Sequence, residues 1–261
     1  MNKIYKKNEV TFAIIMIVIY VVGTSIAESI SEKIGVVKLV PAIFHVLFSV
    51  VLITWIFKSG LKEKYGLELP KYKLAKAWFF IPLLVVACFG LIAGIDIKYS
   101  CIETVLFVVS MLCVGFLEEI IFRGFLFVGM AKNNLKAAII VSSITFGVGH
   151  IVNLLNGQDF VNTMLQIAFA VTVGFTLVIL FYRGKSLIPC IVFHGVNNAL
   201  SGIEKSNEQF AKIFSMNETQ FEIISVIILI VIVLIYGIHI MKKLENTEGK
   251  YGDKDCSGAS K

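Results

Sequence analysis

Long apolar stretches recur along this chain, each of about 18 to 22 residues and so able to cross a bilayer as a helix, and they constrain the fold more than any other feature. Eight can be read: Val10 to Ala27, Leu39 to Phe57, Ala77 to Ile95, Thr104 to about Ala131, Ala137 to Leu155, Val161 to Tyr182, Ser186 to Ile203, and Ile223 to Met241. Hydrocarbon offers no partner to backbone N–H and C=O groups, so such stretches satisfy themselves as helices. The expected fold is all-α, a polytopic transmembrane helical bundle of about eight spans. Only 16% of the residues are charged and mean hydropathy is +0.85, against roughly a quarter charged in soluble domains, which excludes an ordinary soluble protein.

Net charge is +6, but the 24 basic residues lie scattered between apolar spans, which fits membrane topology and carries no nucleic-acid footprint. Counted over alternate segments, 19 of the 24 fall on one side of the eight-span arrangement. Cytoplasmic loops carry the excess of Lys and Arg, so both termini and the 58 to 76 loop are expected in the cytoplasm. The skew of 22 Lys to 2 Arg points to an AT-rich bacterial genome, hence a bacterial cytoplasmic membrane. Lys3, Lys6 and Lys7 before the first span, with Ser25 and Ala27 at its end, mimic a signal peptide, but the span is read as retained.

The organisation expected is 1–103 for the first three spans, 104–203 for the four that hold the polar residues, 204–241 for a loop and the last span, and 242–261 for a disordered cytoplasmic tail. Five cysteines with no CxxC spacing argue against a disulfide framework or a zinc knuckle. Cys256 stands sixth from the end in CSGASK rather than fourth, so prenylation there is not expected.

Glu118, Glu119 and Arg123 stand inside the fourth stretch, TVLFVVSMLCVGFLEEIIFRGFLFVGMA. An ionised group near the bilayer centre costs at least ~2.5 kcal/mol on insertion scales, so such groups face protein or water and usually mark function. Glu119 and Arg123 are one helical turn apart and can neutralise each other, while Glu118 is rotated about 100° from Glu119. The alternative is that the span ends at Leu117 and the three charges sit at the surface. His150 and His194 also lie inside spans, and Asn198 follows His194 by one turn, so a ring nitrogen and a carboxamide can converge. His45 and His239 read as polar residues bonding across helix interfaces.

Measured from the cytoplasmic ends of their spans at 1.5 Å per residue, Glu118 and His150 lie at about 20 Å, and His194 and Asn198 at about 12 and 18 Å. One polar pocket at matching depth is expected. A carboxylate and an imidazole around a water can deprotonate it, and a second imidazole with an amide can donate to a developing oxyanion, which suits amide hydrolysis. Alternatively Glu118, His150 and His194 could ligate a metal such as zinc with an open position for water. No HExxH helix is present, which tilts the reading toward no metal. Mid-depth carboxylates and histidines also build proton relays in transporters.

EEIIFRG, FGVGH and HGVNN resemble the three motifs of the CPBP family, the CAAX-protease and bacteriocin-processing intramembrane proteases: Glu-Glu-x-x-x-Arg, Phe-x-x-x-His and His-x-x-x-Asn or Asp. The resemblance covers about Thr104 to Ser201. It implies a membrane protease fold in which Glu118 is the general base acting on water with His150. His194 and Asn198 would form the oxyanion site, and Glu119 with Arg123 would support the first motif. The family includes proteins described as metalloproteases and as metal-independent glutamate proteases. The substrate implied is a membrane-associated peptide or protein, reached at the lipid bilayer. A non-proteolytic binding or bacteriocin-immunity protein on the same scaffold is the alternative, since fold does not by itself establish activity.

Reporter fusions at Lys76 and Lys242 should report the same, cytoplasmic, side; reports from opposite sides would overturn the eight-span alternation.

Overall fold

The computed structural model describes residues 1–69 and 81–251. Along the chain these form α1 (Asn2–Lys7), α2 (Glu9–Ile34), α3 (Leu39–Lys58), α4 (Ile81–Phe89) with a 3₁₀ turn (Gly90–Ala93), and α5 (Cys101–Glu118). A π-helix (Glu119–Phe127) continues α5 into α6 (Val128–Ala131). Then come α7 (Leu135–Val148), a 3₁₀ segment (Gly149–Leu154), α8 (Phe160–Gly184), α9 (Ile188–Ser201), α10 (Glu208–Ile213) and α11 (Glu218–Tyr251).

Helix starts follow local capping chemistry. Asn8, Asn134 and Asp159 each accept a hydrogen bond from a backbone N–H of the first turn, and Ser100 with Glu103 closes a reciprocal capping box. The first span runs to Ile34 rather than Ala27, because hydropathy falls at Glu28 whereas the helix ends only where Gly35 turns left-handed at φ 77°.

Among the described residues six helices are long and apolar enough to cross a membrane, not the eight expected. The seventh expected span is α9, with 14 residues. At 1.5 Å per residue it is about 21 Å long, short of a ~30 Å hydrocarbon core. Pro189 lies in its first turn and Gly202 is its C-cap, so the helix is shorter than its apolar run. The third expected span begins outside the described residues, as does part of the 58 to 76 loop; its described part, α4 and the following turn, ends at Gly94 with φ 104°. The tail expected to be disordered from 242 instead continues α11 as far as Tyr251, with 252–261 outside the described residues. Extending an existing helix requires no new nucleus, and Lys, Leu and Glu in KKLENTEGKY are good helix formers.

Loop contacts sort the described helix ends into two sets. At one end Glu9 pairs with Lys64 and with Lys132, each at 2.7 Å. There too the Leu187 N–H donates to the Gly66 carbonyl at 2.8 Å and the Ser186 hydroxyl to the Glu68 carbonyl at 2.7 Å. Burial opposes the charge on Lys64, but its bonds to Glu9 and Tyr5 outweigh it and hold the ammonium above its usual range. At the other end the Val37 N–H donates to Glu103, and residues 94–96 exchange backbone hydrogen bonds with 203–205.

α8 is the most enclosed of the long helices, whereas α11 exposes Ile227, Ile228, Val231, Ile232 and Ile235 along its length, as a lipid-facing helix would. All nine residues of the π-helix are buried, including Glu119 and Arg123. α5 and α9 meet at Gly115 and Gly195, where a Cβ on Gly115 would lie 2.4 Å from the Gly195 nitrogen. Without a hydrophobic drive between helices in lipid, such small-residue contacts let backbones approach. This one brings His194 beside the turn that carries Glu118.

Gly115→Val must push α5 and α9 apart, since backbone rather than a flexible side chain blocks the new atoms. Overpacking of this kind costs roughly 1–3 kcal/mol or more, so the thermal midpoint in detergent should fall clearly; an unchanged midpoint would contradict the close crossing.

Candidate active site

Glu119 and Arg123, both fully buried, approach to 3.1 Å between Oε1 and Nη1. The contact is an ion pair without hydrogen-bond alignment, and the three guanidinium nitrogens have no aligned acceptor. The guanidinium lies over the Phe146 ring, 4.0 Å from its centroid, where the ring quadrupole attracts a cation. Gly174 on α8 leaves the room: a Cβ there would come within 3.0 Å of Phe146 and 3.2 Å of Arg123 Nη2.

The same Glu119 oxygen lies 2.8 Å from His194 Nδ1. A carboxylate only accepts, so this bond places the proton on Nδ1. His194 Nε2 is 3.3 Å from Glu118 Oε2, and the other oxygen, Glu118 Oε1, accepts from the Tyr20 hydroxyl at 2.6 Å. Glu118 and Glu119 thus reach His194 from its two ring nitrogens, although adjacent in sequence. Their surroundings differ: Glu119 is closed off with Arg123, whereas the Glu118 side chain is 12% exposed.

His150 opens the 3₁₀ segment after α7, where Nδ1 donates to the Phe146 carbonyl at 3.3 Å. Its remaining nitrogen, Nε2, is then the basic one. Phe146 stands edge-on to both imidazoles, with ring centroids 5.6 Å from His150 and 5.5 Å from His194. Glu118 and His150 line one cavity of about 120 Å³, together with Tyr20, Thr24, Ser25 and Glu28 of α2 and Asn153 and Asn156 beyond His150.

The structure therefore brings Glu118, Glu119, Arg123 and His194 into direct contact and places His150 on the wall that Glu118 shares. Asn198 lies one turn beyond His194, half-buried, with its backbone carbonyl accepting from Ser201. Its carboxamide bonds to none of the other site residues. Sequence reasoning missed Tyr20; the available signal was a hydroxyl-bearing side chain amid the aliphatic run IVIYVVG. His45 bonds to Thr24 at 3.0 Å and Ser110 at 2.9 Å, linking α2, α3 and α5 as an interface residue would.

A metal implied by the resemblance finds no matching donor set. Among the described residues no three His, Cys, Asp or Glu side chains gather as ligands. His194 has a carboxylate at each nitrogen, and His150 Nδ1 is committed to a backbone carbonyl.

Compared with known proteins, residues 100–200 match the family model described as Type II CAAX prenyl endopeptidase Rce1-like, which is consistent with the CPBP family. No curated protein and no solved structure matches the chain.

Arg123→Ala would leave the Glu119 carboxylate buried beside an emptied guanidinium site. Breaking a buried pair by removing one partner costs about 3–5 kcal/mol, so folded yield and thermal midpoint in detergent should both drop. Wild-type yield and stability would show that the pair is not needed for the fold.

Proposed function

We propose that this chain, carrying an Rce1-like domain at residues 100–200, is an intramembrane endopeptidase that hydrolyses a peptide bond of a membrane-associated peptide or protein. The observation that supports it best is a single cavity walled by Glu118 and His150, with His194 held against Glu118 by Glu119. In this reading Glu118 takes a proton from water in that cavity, and His150, basic at Nε2, orients the same water. The hydroxide adds to the scissile carbonyl carbon. The negative charge that develops on its oxygen is met by the Asn198 carboxamide and by His194, which donates from Nε2 as an imidazolium whose other proton is held on Nδ1 by Glu119. The proton held by Glu118 then passes to the departing amine as the C–N bond breaks. Glu119 and Arg123 act through His194 as positioning groups.

The reaction proposed uses these side chains without a resident metal, and both termini lie in the cytoplasm of a bacterial cell. Chelation should leave turnover unchanged; stoichiometric zinc lost together with activity, and restoring it on return, would overturn the metal-free part.

Turnover of a quenched peptide by purified protein in detergent tests the assignment, with each variant checked for monodisperse folding. Glu118→Gln keeps the volume but cannot take a proton from water, and with His150→Ala it should lose about 10²- to 10⁴-fold. Loss of one oxyanion donor costs about 10²- to 10³-fold, so Asn198→Ala should be the milder defect beside His194→Ala, which also disturbs Glu118. The losses should fail to add, because the groups act on one transition state. Full turnover by Glu118→Gln would overturn Glu118 as the base, whereas no turnover by the unmodified chain would favour a binding or immunity protein on this scaffold.

A further inference from the structure

The catalytic cavity has a floor and a mouth. Tyr20, Phe122 and Phe146 at its base are buried, Glu28 and Asn153 are half-buried, and Asn156 is exposed at the rim. On α2 the direction of this gradient is fixed. Glu9, at the start of the helix, pairs with Lys64 and Lys132; at 1.5 Å per residue Tyr20 lies about 17 Å along and Glu28 about 29 Å. On α7 the path is parallel, starting beside Lys132 and Lys136 and reaching Asn153 and Asn156 past its far end. The mouth is therefore at the end away from the basic loops, where Glu28 pairs with Lys38.

Among the described residues the opposite approach is filled by side chains. Below Glu118 the chain enters the fully buried π-helix, and Phe125 within it packs edge-on against Phe12 at 5.2 Å, Tyr65 at 5.1 Å and Trp55 at 6.0 Å between centroids. Tyr65, contributed by the lysine-bearing loop after α3, is 1% exposed. Arg123, although counted with the basic side in the sequence, is part of this interior, which leaves 18 of 24 basic residues on that side.

Cytoplasmic loops hold the basic excess. We infer that the cavity is entered from the non-cytoplasmic face, and that its substrates are polypeptide segments presented outside the cytoplasm, at or just within the outer surface of the membrane. This rests on the peptidase reading for the word substrate, but the direction of entry does not. The rim chemistry fits a peptide main chain: Asn156 and Asn153 bring carboxamides, the latter already donating to Gln166, and Glu28 brings a carboxylate acceptor, rather than a wall for a long apolar chain. A cytoplasmic C-terminal peptide would meet the aromatic plug.

The test uses the full chain in intact cells and a membrane-impermeant maleimide, with labelled sites mapped peptide by peptide. Asn156→Cys reports the rim, Ser25→Cys the cavity wall, and Lys136→Cys the basic end. Native Cys101, exposed at the start of α5 on the same side as the mouth, is an internal reference in each variant. Labelling of Asn156→Cys, Ser25→Cys and Cys101 in intact cells, with Lys136→Cys labelled only after permeabilisation, is the expected result. Labelling of Lys136→Cys in intact cells while Asn156→Cys waits for permeabilisation would overturn the inference. So would a Ser25→Cys that is silent from outside while Asn156→Cys reacts, because the cavity would then be shut to that face. Labelling needs no turnover, so a chain that labels as expected yet cleaves no peptide loses the peptidase reading and keeps the sidedness of its cavity.

Discussion

The guanidinium of Arg123 remains charged in any protein environment, so burying it obliges its surroundings to supply compensation. Glu119 supplies the opposite charge, Phe146 the face of a ring, and Gly174 the space for both. These partners come from the π-helix, α7 and α8, so placing one charge fixes three helices against one another. Glu119 in turn accepts from His194 Nδ1 and so fixes α9 and the orientation of its ring. The geometry at Glu118 follows from that chain of contacts, because the ring whose Nδ1 is held by Glu119 turns Nε2 toward Glu118.

That arrangement was partly legible in the sequence. The one-turn spacing of Glu119 and Arg123 foretold their pairing, and the cost of charge in lipid argued that both lie inside, as they do. Rotation about the helix was not legible. A separation of about 100° suggested that Glu118 and Glu119 point to different places, yet a ring with two nitrogens bridges both directions. Depth along a span placed Asn198 in the same layer as Glu118 but could not say which way its carboxamide turns. Hydropathy also overstated the length of the seventh stretch, since it registers an apolar run such as Ser186 to Ile203 without registering that Pro189 and Gly202 bound a shorter helix. The π winding of 119–127 left no composition signal at all.

Chemistry and access are divided between two parts of the chain. Every residue of the three motifs falls within the matched segment 100–200, but Tyr20, Thr24, Ser25 and Glu28 come from α2, well outside it. Tyr20 donates to Glu118 and so helps fix the proposed base, while the residues toward Glu28 line the proposed approach. A helix without motifs can thus vary the cavity wall while the groups proposed to transfer protons stay as they are.

Water activation inside a membrane sets two opposed requirements. The carboxylate that takes the proton needs a polar route to water, while the ion pair that positions it gains most from a dry, low-dielectric setting. The junction of α5 with the π-helix meets both within two consecutive residues. Glu119 points into the fully buried segment with Arg123, and Glu118 lies on the cavity wall, bonded to Tyr20 and open toward Asn153 and Asn156. Because everything from 119 to 127 is enclosed, the polar route to Glu118 runs along α2 and the 3₁₀ segment, away from the basic loops. In the proposed mechanism the segment that keeps the positioning charges dry is therefore also the one that sets from which side the base is reached.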